Sequence, residues 1–389
     1  MRRQEEWRLL ATLDEFHQLG VRGYQVMSHF DTQFAGVAVY TQAIHLMQWL
    51  YQELSTDGDI TSLEMAGAMN IPLNDAFAQA ADIAQGWDPL AGVPLLGDLF
   101  PVTAFDQLTD IHALMALVGE ISGPQCVRRD NGAPERCATC LKDGIDCQNV
   151  IGLTPLGEEL VKGLIDRDIM IDIAHLSELG VQGVWDVIQS HSPTGTYPIY
   201  VSHGDPREPL PADGHKGPHM EKPTPPWILD LIKESGGMFG MRTGPDQFLD
   251  HPSSMVDNDC TGSSKSFAQA VGYLVDAGVD VGFALDMNGM IANAAPRFID
   301  DSSRKNRRRG QKAACLGNDA EQGIQLGPVL DDPSTPHTDE SRYNSKGLGH
   351  IGLLGAYLDD LDTVGLGQNY LDNLFGSAES FIQMWEAVP

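Results

Sequence analysis

From about residue 150 the chain alternates helical patterns with short, fully apolar runs. "LTPLGEELVKGLIDRD" places Thr154 as an N-cap and Pro155 at the first helical position, and it feeds the run "IMIDIA". "SELGVQGVWDVIQS" has helical period and feeds "PIYVS". "TPPWILDLIKESGG", with Thr224 as its cap and glycines as its stop, feeds "MFGM"; "SKSFAQAVGYLVDAG" feeds "VDVGFAL". At the front, Trp7, Leu10, Leu13 and Phe16 recur as one face of an amphipathic helix that leads into "VRGYQVMS". The pattern predicts five units in which a helix precedes an apolar strand.

Apolar strands alternating with helices predict a parallel sheet covered on both faces. A doubly wound open sheet and a (β/α)8 barrel both satisfy that rule. The polar residues at the strand ends separate them. The apolar runs stop at His29, His175, His203 and Asp286, one polar group each, as at the C-terminal mouth of a barrel. No G-x-G-x-x-G or phosphate-loop pattern follows the first strand, as a doubly wound sheet would favour. The expectation is a single α/β domain over 1–389, a TIM-type barrel of the metal-dependent hydrolase kind with about five of its eight strands present. Segments of about 36–150 and 288–346 break the cadence and read as insertions at the mouth. "NYLDNLFGSAESFIQMWEAV" reads as a closing amphipathic helix against the barrel wall.

Composition narrows the partners. The 389 residues carry 54 acidic against 25 basic side chains, a formal charge of −29, which repels phosphate backbones and argues against nucleic acid. The run "RKNRRRG" is a local exception, read as a solvated loop or a basic docking patch. No apolar stretch approaches the ~20 residues that span a bilayer, and the first residues lack a signal-type apolar core. Four of the six cysteines, Cys126, Cys137, Cys140 and Cys147, cluster in one loop, where disulfides, a zinc knot and free thiols all remain open. Cys260 and Cys315 could pair. An even count confined to loops leans towards an exported, oxidising location over the cytoplasm.

Neutral imidazole is the commonest zinc ligand, and a strand end fixes its direction. Histidines at the last positions of adjacent parallel strands would stand about one strand spacing apart, ~4.8 Å, close enough to share a metal. His175 and His203 are the candidate ligands on that ground. Asp286 could accept a proton from a metal-bound water. A lone strand-end histidine is more often structural, but three histidines and an aspartate in equivalent places point to metal chemistry.

"GLTPLGEELVKGLIDRDIMIDIAHLS" followed by "YPIYVSHGDPRE" resembles the membrane (renal) dipeptidase family of zinc hydrolases. "LGVRGYQVMSHFDTQFAG", "VGFALDMNG" and "DNLFGSAESFIQMWE" resemble its fourth-strand, last-strand and terminal-helix segments. The resemblance implies a (β/α)8 barrel with a two-zinc centre that hydrolyses dipeptides; a homodimer stays open as the assembly. Carried over, His175 and His203 would bind the second zinc, His29 would contact the substrate and polarise the scissile carbonyl, and Asp286 would be the acid/base. Arg207 lies near, though not at, the position of the family arginine that holds the substrate carboxylate. Asn288 stands where many relatives carry a second aspartate.

The family's first-strand His-x-Asp pair and its bridging glutamate belong upstream of the first helix, so the chain reads as N-terminally incomplete and the first-zinc ligands are not recognisable. One alternative keeps the chain whole: His29–Asp31 as the His-x-Asp pair and Glu120 as the bridging carboxylate. Two further functions stay open: a non-catalytic, barrel-derived binding protein, and another amidohydrolase-like metallohydrolase.

Overall fold

The computed structural model describes residues 2–27, 32–38, 125–128, 135–136, 147–211, 220–244, 246–286, 293–297, 343, 347–348 and 351–388. They belong to two compact units, Met1–Tyr197 with Gly217–Lys222 and Pro389, and Pro198–Lys216 with Pro223–Val388.

The first unit opens with α1 (Arg2–Gln18) and β1 (Gly23–Gln25). In α1 only part of the expected face is used: Leu13 is buried, whereas Trp7 is 70% exposed. The cysteine loop contributes β2 (Gln125–Arg128), β3 (Glu135–Arg136) and β4 (Cys147–Asn149), a small antiparallel sheet of order β3-β2-β4. Then come α2 (Pro155–Ile165), β5 (Met170–Asp172) and α3 (Glu178–His191). Thr154 caps α2 as expected, its hydroxyl accepting from Gly157 N, with Pro155 at the first position. β1 and β5 pair in parallel, Tyr24 opposite Ile171. Apolar burial of Leu160, Leu164, Ile169, Ile171 and Val184 forms the core, each such side chain contributing about 1.5–3 kcal/mol.

The second unit is built on β6 (Ile199–Gly204), α4 (Pro226–Glu234), β7 (Met238–Arg242), α5 (Ser264–Asp276) and β8 (Asp280–Ala284). β7 is the central strand, parallel to both β6 and β8, and all five of its residues are buried. Gly240 permits that crowding. A Cβ there would lie 2.1 Å from the Ser202 carbonyl oxygen, so no larger residue fits between β6 and β7. The expected cap of α4 is absent. Thr224 forms a parallel bridge with Pro206, its N–H bonded to Asp205 O, and the helix starts later behind Pro225, without a side-chain cap.

The closing segment forms three helices, α6 (Leu354–Thr363), α7 (Gln368–Phe375) and α8 (Ser377–Glu386). The expected single terminal helix is broken at Gly376, the C-cap of α7 and the N-cap of α8. Both pieces pack on β8, where Asn373 Oδ1 accepts from Val281 N. All five expected helix–strand units are present, so the chain is mixed α/β with parallel strands. No helix among the described residues is long and apolar enough to cross a membrane.

Candidate active site

His175 does not end its strand. It lies three residues beyond β5, in a turn, with φ 68° and its side chain buried. A non-glycine residue in the left-handed region costs about 1–2 kcal/mol, so the surrounding structure must hold it there. Antiparallel contact does so: Ala38 N donates to His175 O at 2.7 Å, Ser177 N donates to Gly36 O, and Val37 bridges Leu176. Ser177 then caps α3, its hydroxyl accepting from Gly180 N and donating to Ile151 O.

His203 is the penultimate residue of β6, so the two histidines do not share the expected register. The pairs Val201↔Phe239 and Gly204↔Met241 advance three residues on β6 for two on β7, which puts Ser202 and His203 in an irregular, bulged step. Such steps re-aim side chains and recur beside active sites. His203 Nδ1 lies 2.9 Å from Ser202 Oγ. In the tautomer where Nδ1–H donates to that hydroxyl, Nε2 carries the lone pair a metal ion needs.

Asp286 follows β8 by two residues, half-buried, with φ 45°. Four described non-glycine residues have positive φ, namely Asp168, His175, Met255 and Asp286. Asp168 and Met255 follow helical turns, where chain reversal accounts for them; His175 and Asp286 follow parallel strands and are both candidate site residues. Arg207 is buried and its Nε donates to Pro223 O at 3.0 Å, which ties the segment after β6 to the segment before α4. His29, Asp31 and Glu120 lie outside the described residues, as do Asn288, Cys137, Cys140, Cys315 and the basic run.

The strand-end rule should also have selected Arg242, the charged last residue of the apolar run "MFGMR". Its guanidinium pairs with Asp246 and lies 3.6 Å from Asp205 Oδ2, all three side chains largely buried. Glu221 was not foreseeable from local sequence. Its carboxylate accepts from Glu178 N at 2.7 Å and Asn149 N at 2.9 Å.

As donors, His175 and His203 have the chemistry of two positions in a zinc shell. Among the described residues, no three His, Cys, Asp or Glu side chains form a group that could hold a metal. His175 belongs to the first unit, His203 and Asp286 to the second.

The chain is similar to solved metallopeptidases. The metallo peptidase of Rhodobacter sphaeroides, liganded with a phosphinate mimic of the dipeptide L-Ala-D-Ala, aligns at 18% identity and TM-score 0.34 over 61% of this chain and 48% of that one. A dipeptidase described as dipeptidase AC aligns at 19% and 0.34 over 61% and 49%. An amidohydrolase of Pseudomonas aeruginosa aligns at 17% and 0.34 over 62% and 58%. The chain therefore spans about half the length of the first two. No family model and no curated protein matches it.

Proposed function

We propose that this chain is a zinc-dependent, dipeptidase-type hydrolase on a (β/α)8-type barrel. The observation that carries the reading is the pair of histidine motifs, "IDIAHLS" and "YVSHGD". His175 follows a buried parallel strand and His203 is the penultimate residue of another parallel strand, and each is held by its neighbours: His175 by a left-handed turn, His203 by Ser202 in a bulged step. In this reading His175 and His203 are metal ligands, Asp286 accepts a proton, and His29 and Arg207 bind the peptide substrate. Zinc, when bound, lowers the pKa of water to about 7 and so supplies hydroxide at neutral pH. Asp286, half-buried at the end of β8, would take the proton released by the attacking water and return it to the leaving amine. The disulfide at Cys260 supports an exported location.

A non-catalytic binding protein is the second reading. One experiment separates them. Zinc content and hydrolysis of simple dipeptides are measured on the wild type and on His175→Ala, His203→Ala and Asp286→Asn. The hydrolase reading expects both histidine variants to lose zinc, and Asp286→Asn to keep zinc while losing turnover. Zinc content left unchanged by both histidine substitutions, with zinc supplied, would overturn it.

A further inference from the structure

A buried carboxylate far away in sequence closes the turn that presents His175. Glu221 is 3% exposed and its two oxygens accept from different backbone N–H groups, Oε1 from Glu178 and Oε2 from Asn149. The Asn149 side chain continues the path: Nδ2 donates to Val37 O at 2.9 Å, and Oδ1 accepts from Ile151 N at 2.9 Å. Val37 bridges Leu176, and Ala38 N donates to His175 O. The result is a closed ring of hydrogen bonds running from His175 through Ala38 and Val37 to Asn149, to Glu221, to Glu178, and back along the chain.

Glu178 is the first residue of α3, where a carboxylate meets both an N–H without an intrahelical partner and the positive end of the helix dipole. Ser177 already caps this helix through Gly180 N. Glu221 therefore does more than cap it: its second oxygen fastens the helix start to Asn149 and so to the Val37 segment bridged to Leu176. The left-handed backbone of His175 needs such cross-bracing, because a strained conformation persists only where its surroundings over-determine it.

We propose that Glu221 is a positioning residue for His175, fixing the direction of its imidazole for metal binding; this rests on the reading of His175 as a ligand. A partner bonded to the ligand itself is worth about 10–100-fold in metal affinity, and this is an upper bound for Glu221, which acts through the backbone.

The test is titration of the full 389-residue protein with cobalt(II), whose visible bands report the ligands and geometry around the ion. Wild type should bind cobalt with those bands, and His175→Ala should lose them. Glu221→Gln replaces one acceptor oxygen by a donor; it should bind more weakly, by up to about 100-fold, with shifted bands, while Glu221→Asp, which keeps both oxygens, should fall between. Asn149→Ala opens the ring at Val37 without touching Glu221, should weaken binding likewise, and carries the test if Glu221→Gln fails to fold by circular dichroism. Binding and bands unchanged in the folded Glu221 and Asn149 variants, with His175→Ala still defective, would overturn the positioning role and leave the ligand role of His175 standing. His175→Ala indistinguishable from wild type would overturn both.

Discussion

Arg297 and Asp360 form an ion pair sealed from solvent, with side chains 4% and 2% exposed, and Nε and Nη2 both donating to Oδ1. The other oxygen accepts from Tyr343 OH at 2.8 Å and from Ser264 Oγ at 2.6 Å. Burial, then the Asp360 carboxylate, raises the Tyr343 phenol well above its ordinary pKa, so it remains a donor. Removing one partner of such a pair strands the other charge, at about 3–5 kcal/mol. Asp360→Asn should therefore lose about that much stability in urea denaturation. An apolar replacement of both partners, Arg297→Met with Asp360→Leu, should cost less than the single change.

At His175 the backbone and the side chain make opposite demands. Glycine adopts φ 68° without the Cβ clash that histidine and alanine meet there. His175→Gly should accordingly be more stable than His175→Ala by about 1 kcal/mol in equilibrium unfolding, although neither binds metal at this position. Equal stabilities, or a more stable alanine variant, would contradict the strain.

Gly240 should tolerate no side chain. With the Ser202 carbonyl in the way, Gly240→Ala must push β6 from β7, and overpacking of this kind costs about 1–3 kcal/mol. Because Ser202 precedes His203 in the bulged step, the same variant should also disturb metal binding. Thermal unfolding and zinc content check the two effects separately.

Asp276 ties the turn at Pro252–Ser254 to α5 and α7. Burial alone would raise its pKa, but hydrogen bonds from His251, Ser253 and Tyr370 together outweigh that and hold it below the ordinary carboxylate value. A carboxylate depressed in the folded state adds stability above its unfolded pKa, and this is lost as pH falls through the folded one. The wild type should thus lose stability below about pH 4, and Asp276→Asn should flatten that part of the curve. The readout is a series of urea midpoints at successive pH values.

What the sequence made legible follows from the range of the interactions involved. Apolar runs such as "MFGM" and "IMIDIA" announce strands because every side chain on them is buried, and Thr154 caps α2 through a bond three residues away. Thr224 carries the same local signal and fails, since its backbone is engaged by Asp205 and Pro206 on another segment. The site is divided in the same way. A histidine after an apolar run is visible at once; the left-handed turn of His175 is not, because the bonds around it, Glu221 to Glu178 N and Asn149 to Val37 O, span 43 and 112 positions of chain. Trp7 fits a helical period but stays exposed, which period alone cannot decide.

The bridge between Pro206 and Thr224 works as a drawstring. Arg207 N donates to Thr224 O, Thr224 N donates to Asp205 O, and the Arg207 guanidinium binds Pro223 O, so the neck of the loop is tied three times just beyond β6. Extra residues placed beyond such a knot pull on the knot and not on His203. Closing a longer flexible loop costs only about 0.6 kcal/mol per doubling of its length. A change of length inside the loop therefore loads that knot, while the histidine strand stays in register.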